Sequence, residues 1–114
     1  MTDCLFCKMC NGEIEPDVVY QDDDVLAFRD VNPQAPTHVL IIPKTHISTI
    51  NDLTPEHEAL IGKLYLAAKQ VASDEGLAER GYRVVMNCNA EAGQSVFHIH
   101  LHMLGGRAMQ WPPG

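Results

Sequence analysis

At 114 residues, with 46% hydrophobic and 20% charged side chains, the chain has ordinary globular usage and the length of one domain, residues 1–114, not of two independent cores. Eight Lys and Arg against fifteen Asp and Glu give a formal net charge of -7, and no basic cluster is present to neutralise a phosphate backbone, which argues against a nucleic acid polymer as partner. No apolar run approaches the ~20 residues of a membrane span, and the opening Met-Thr-Asp-Cys has neither the basic nor the apolar region of a secretion signal. The expectation is a cytoplasmic protein with no membrane partner, whose four cysteines are thiols or metal ligands in place of disulfides.

Residues 4–12 read as a short helix or turn closed by Asn11-Gly12. Val18-Val19-Tyr20 opens a β-rich section after Pro16. The Asp22-Asp23-Asp24 run predicts a solvated hairpin bend; it lacks the spaced oxygens and distal Glu of a calcium loop. Val25 to Arg29 predicts a strand, Asn32 to Pro36 a rigid bend, and His38 to Ile42 a buried strand ended by Pro43. Thr54-Pro55 is a helix opening, with Thr as N-cap, for a helix running to about Ser73. Leu60, Ile61, Leu64, Ala67, Ala68 and Val71 form its packed stripe, while Lys63, Lys69 and Gln70 face water. Tyr82 to Asn87 and, after the Gly93 turn, Val96 to Leu104 read as the last strands. The fold class expected is α+β, a mostly antiparallel five-stranded sheet with one main helix.

Val96 to Met103 alternates without a break, so a strand would carry His98, His100 and His102 on one face and Phe97, Ile99, Leu101 and Met103 on the other. Three imidazoles at period two repel one another when charged, a cost tolerated where metal binding or anion chemistry uses them. Two chemistries fit: a zinc site with two or three nitrogen ligands and a bound water, or nucleophilic attack by the central imidazole on phosphorus. Spacing does not choose between them. Gly93-Gln94-Ser95 just upstream offers amides and a hydroxyl for an anion, which favours a phosphate.

With Ala27-Phe28-Arg29-Asp30, Pro33 to His38, Ile42-Pro43-Lys44-Thr45-His46-Ile47, Gly93 to Val96 and the tail Gly105 to Gly114, the sequence resembles the histidine-triad (HIT) nucleotide-binding family over nearly its whole length. The tail resembles the purine nucleoside phosphoramidase, or protein kinase C inhibitor-like, branch. That resemblance implies hydrolysis of purine nucleoside 5′-phosphoramidates in two steps, with His100 attacking the α-phosphorus and passing the nucleotidyl group to water. It implies His98 and His102 as the rest of the triad, His102 on phosphate oxygens, and His38 completing the network. Ser95 is implied at the leaving nitrogen, Asn87 and Gln94 at phosphate oxygens, and Asp30 at both ribose hydroxyls, a role suited to a carboxylate. Leu5, Phe6, Phe28, Val31 and Leu40 match positions lining the purine pocket for an AMP- or GMP-like nucleotide. Asn89 stands where glycine is common, a mild change if the site is left-handed.

The resemblance also implies a homodimer, with the tail and Trp111 reaching towards the partner's site. Catalysis is expected to need no cofactor. Cys4 and Cys7 supply half of a zinc site, and similarity to some bacterial members implies a structural zinc on Cys4, Cys7, His46 and His98. Rival readings are a nucleotide-binding interaction protein with incidental hydrolysis, and a zinc hydrolase that uses the triad itself.

Overall fold

A computed structural model of the chain describes residues 3–114. Five strands, β1 (Val18–Gln21), β2 (Val25–Arg29), β3 (Thr37–Pro43), β4 (Tyr82–Val85) and β5 (Leu101–Gly105), combine with helices α1 (Leu5–Cys10) and α2 (Glu58–Asp74). The sheet order is β1-β2-β3-β5-β4, and every neighbouring pair is antiparallel. This is the expected α+β architecture. The acidic run is a hairpin turn, as its composition predicts: Asp22 Oδ1 accepts from the backbone N–H of Asp24 and of Val25 at 2.8 and 2.9 Å. Asp24 also pairs with Lys63 of α2 at 2.6 Å.

The sheet is covered on both sides, which explains why β2 and β3 read as nearly continuous apolar runs. Val25, Ala27, Val39 and Ile41 face α2 and pack with Leu64, Ala67, Ala68 and Val71. Leu26, Phe28, Leu40 and Ile42 face the other way and pack with Phe6 of α1. A short 3-10 turn, Pro55–His57, leads into α2. Its cap is made by His57, whose Nδ1 accepts from the Thr54 N–H at 3.0 Å. At the far end Arg29 grips Glu75 through two bonds of 3.1 and 2.9 Å. No helix among the described residues is long and apolar enough to cross a membrane.

The last strand is shorter than its alternation predicts. β5 begins at Leu101, not at Val96, and β4 stops at Val85. The β3–β5 ladder ends at Ile41↔Leu101, near the point where Pro43, with no N–H to give, turns its carbonyl to another use described below. Residues 96–100 therefore lie outside the ladder, with the chain bending at 96–98, and Phe97, expected on the core face with Ile99, Leu101 and Met103, is instead exposed. After β5, Gly106 has φ +94° and sits so close to Pro36 that a Cβ would lie 2.8 Å from the Pro36 Cβ. Arg107 follows and donates from Nε to the Gln34 carbonyl at 3.1 Å. These two contacts hold the bend between β2 and β3 against the end of β5.

Candidate active site

That bend feeds the first histidine. The Gln34 N–H donates to His38 Nδ1 at 3.0 Å, so the proton of neutral His38 lies on Nε2. His38 Nε2 is 2.9 Å from His102 Nδ1, and it donates there. His102 is left with its own proton on Nε2, a donor not spent on His38. Asp30 stands beside the pair, its Oδ2 3.5 Å from His38 Nε2, while its Oδ1 accepts from the Asn32 N–H at 2.8 Å. One carboxylate oxygen thus shapes the turn, and lone pairs remain on the other for a ligand.

The neighbouring rings are fixed by backbone carbonyls. His98 donates from Nε2 to the Pro43 carbonyl at 2.7 Å, and His100 donates from Nδ1 to the His98 carbonyl at 2.8 Å. These bonds place a lone pair on His98 Nδ1 and another on His100 Nε2. His100 and His102 are neighbours, with ring centroids 4.9 Å apart, and Phe6 meets the rings of His98 and His100 edge-on at 5.8 and 5.1 Å. The three triad rings and His38 therefore share one face of the sheet, as the alternation predicts. Sequence reasoning did not find the acceptors and donor that set these tautomers, the carbonyls of Pro43 and His98 and the N–H of Gln34, because backbone groups leave no residue-type signal.

Burial depresses every one of these imidazoles. Desolvation lowers His38, His98 and His100 below the ordinary value of 6.5, partly opposed at His38 and His100 by the Asp30 charge. His102 falls furthest, to about 4, through desolvation and then the neighbouring His100 and His38. All are neutral near pH 7. An unfolded chain would take up protons at these histidines near 6.5, before the folded chain does. Folding stability is therefore full above that pH and is lost as pH falls from 6.5 towards about 4. A thermal midpoint at pH 5 is expected to lie below that at pH 7; an equal or higher midpoint would show that His38 and His102 are not held neutral.

The loop before the triad is built on a clamp. Gln94 is buried; its Oε1 accepts from the Asn89 N–H at 2.8 Å, and its Nε2 donates to the carbonyls of Ser48 and Val96 at 2.8 and 3.1 Å. The expectation that Gln94 holds phosphate oxygens needs correction on this geometry, since both amide protons are already spent on backbone acceptors. Its side chain fixes the loop instead. Asn89 has φ 68° and ψ −171°, which is outside the left-handed well that Asn tolerates and in a region populated almost entirely by glycine. The substitution there is costly where it was expected to be mild. Asn89→Gly is expected to raise unfolding stability by about 1 kcal/mol, read as a higher urea midpoint at unchanged slope; a lower midpoint would mean that the side chain repays its strain.

The remaining expected positions divide by burial. Phe6, Phe28 and Leu40 are buried in the core on the α1 side. Leu5 is 43% exposed and Val31 fully exposed. Ser95 is exposed and Asn87 half-buried in the loops flanking the triad. Trp111 is 81% exposed and lies against Arg83, whose guanidinium carbon is 6.0 Å from the ring centroid, not against the histidines of its own chain.

Cys4, Cys7, His46 and His98 converge, with one donor atom of each within 4.8 Å of all the others. Cys7 Sγ is 3.2 Å from His46 Nδ1 and 3.6 Å from His98 Nδ1, and Cys4 Sγ is 3.4 Å from His98 Nδ1. Tetrahedral zinc bonds of about 2.0 to 2.3 Å require sulfur–nitrogen separations of roughly 3.5 Å, so this donor set fits zinc. The His98 Nδ1 lone pair faces the thiols because its other nitrogen is committed to Pro43. Burial and the adjacent Cys4 thiol push Cys7 up to about 11, a bias that a divalent cation at the focus would reverse.

A HIT domain matches residues 11–109. The chain belongs to the HIT family. Within it, the chain is 53% identical to the purine nucleoside phosphoramidase of Escherichia coli K12 over 105 residues, covering 92% of this chain and 88% of that protein. The crystal structure of a HIT family hydrolase from Legionella pneumophila is 57% identical, with a TM-score of 0.97, covering 98% of this chain and all of that one. A histidine triad protein from Clostridium difficile superposes with a TM-score of 0.93 at 39% identity, covering 96% of each chain. The antiparallel sheet, the single long helix and the histidine face described above are thus those of a HIT protein.

Proposed function

We propose that this HIT protein is an enzyme that hydrolyses the phosphorus–nitrogen bond of purine nucleoside 5′-phosphoramidates through a nucleotidyl-histidine intermediate. The observation that carries this reading is the free Nε2 lone pair of His100, a neutral ring whose other nitrogen is tied to the His98 carbonyl at 2.8 Å. In the first step Nε2 bonds to the α-phosphorus while the bond to the amine breaks, and the amine leaves with a proton drawn from solvent through the exposed Ser95 hydroxyl. In the second, water attacks phosphorus, the bond to Nε2 breaks, a proton of the water returns to solvent, and the nucleoside monophosphate departs with His100 restored. The His102 Nε2–H and Asn87 stabilise the phosphate oxygens in both steps. Asp30 receives the ribose hydroxyls, and the purine rests between the floor of Phe6, Phe28 and Leu40 and the lip of Leu5 and Val31.

Zinc chemistry on the triad itself is disfavoured at His102: its Nδ1 accepts from His38 at 2.9 Å and its Nε2 carries the proton, so of the His100–His102 pair His100 Nε2 alone offers a lone pair. A zinc ion is proposed instead at Cys4, Cys7, His46 and His98, where four protein ligands leave no open position, so it would brace the fold and take no part in bond making. A homodimer, with the exposed Trp111 reaching the partner, is proposed for the assembled enzyme. The four free thiols fit the reducing cytoplasm proposed as its location.

The deciding experiment follows adenosine 5′-phosphoramidate by phosphorus NMR. Conversion to AMP is expected, and no conversion would sink the reading. Asp30→Ala is expected to weaken ribonucleotide binding by about 1.5 to 3 kcal/mol while hardly affecting the 2′-deoxy analogue. An equal loss for both would return Asp30 to the turn alone.

A further inference from the structure

We propose that the Cys4–Cys7–His46–His98 centre is a positioning device for the nucleophile, with His98 as the junction, so that metal occupancy sets the catalytic rate although the metal touches no substrate. This rests on the hydrolase reading above. His98 is completely buried and is engaged on three sides: Nδ1 faces both thiols at 3.4 and 3.6 Å, Nε2 donates to Pro43, and its carbonyl receives the His100 Nδ1–H. That last bond decides which nitrogen of His100 carries the lone pair.

The peptide bearing the carbonyl lies outside the sheet ladder. Residues 98–100 precede β5, and the backbone bond that ties them to the rest of the fold is Ile99 N–H to the Ile47 carbonyl at 2.8 Å, one residue beyond His46. The His98 imidazole is therefore a main anchor of the segment, and His46, another member of the centre, abuts the second anchor. A parallel route runs through α1. Six residues are too few for a helix to stand alone, and Cys4 and Cys7 fasten this one at its first turn. Between them sits Phe6, whose ring packs edge-on against both His98 and His100. Loosening the centre frees the carbonyl that orients the nucleophile and the aromatic ring that backs it.

Positioning contacts around metal-bound histidines commonly carry 10- to 100-fold in activity. Removing zinc is expected to lower kcat by about that factor and to weaken AMP binding as well, because Phe6 of the proposed base floor sits between Cys4 and Cys7. In nitrogen-15 spectra of the metal-free protein, His100 should lose its single Nδ1–H tautomer. Coupling of this kind is reciprocal, so the visible absorption of cobalt(II)-substituted protein should shift when AMP is added. The cobalt measurement uses loaded protein and decides the matter even if the metal-free chain unfolds.

A folded metal-free protein with unchanged kcat and an intact His100 tautomer would overturn the proposal, as would a cobalt spectrum indifferent to saturating AMP. Failure of the protein to bind zinc or cobalt at all would overturn it equally. Loaded protein that cleaves no phosphoramidate would instead defeat the hydrolase reading, which keeps the two failures apart.

Discussion

Replacing His100 with alanine is expected to abolish phosphoramidate turnover, by on the order of 10⁴-fold or more, while leaving AMP bound almost as tightly as before. The argument is one of bonds. A nucleophile must become covalently attached to phosphorus, and His100 Nε2 is a nitrogen of the triad left with a free lone pair and a tautomer fixed by the His98 carbonyl. Binding survives because Asp30 and the apolar floor are untouched. Rapid acid or base quench of the wild type with a fast-leaving substrate should trap a nucleotidyl adduct on a peptide containing residues 98–102. Absence of any adduct under every quench, together with residual turnover in the His100→Ala protein, would remove His100 from the role of nucleophile.

Replacing His102 with alanine is expected to cost about 100- to 1000-fold in kcat and to leave the covalent adduct detectable. His102 presents its Nε2–H because His38 occupies Nδ1 at 2.9 Å, and losing one donor that meets developing charge has an effect of this size. The loss should appear in kcat more than in KM, since the bond strengthens as charge builds on the phosphate oxygens. His38→Ala should give a smaller loss of the same kind, because it frees the His102 tautomer without removing the donor. Equal losses in KM and kcat/KM at unchanged kcat would reduce His102 to a ground-state phosphate contact.

Much of this site was legible in the sequence because period two survives where the ladder does not. Residues 96–100 are not paired as a strand and the chain bends at 96–98, yet from His98 onward the side chains still alternate, with His98, His100 and His102 on one face while Ile99, Leu101 and Met103 enter the core under α2. What alternation could not show was the end of pairing near Pro43 or the exposure of Phe97. Gln94 was legible as a loop residue and not as a clamp, because its use of both amide protons depends on Ser48, 46 residues away in sequence. The Cys-x-x-Cys pair alone carried half of a site; His46 and His98 join it only because β3 and the segment before β5 run side by side.

The pairing that brings His38 to His102 spans 64 residues, whereas β1, β2 and β3 are joined by short turns. Closing so long a loop carries an entropic cost that the hairpins do not meet, so the three-stranded meander has the means to form early and the catalytic face can exist only once β5 arrives from the far side of α2. A nucleotide gripping Asp30 at the end of β2 and His102 on β5 would act as a strut between the early and the late part of the chain. Its effect belongs to the escape from the native state: bound product would lengthen the lifetime of the folded protein while leaving the speed of its assembly almost unaltered.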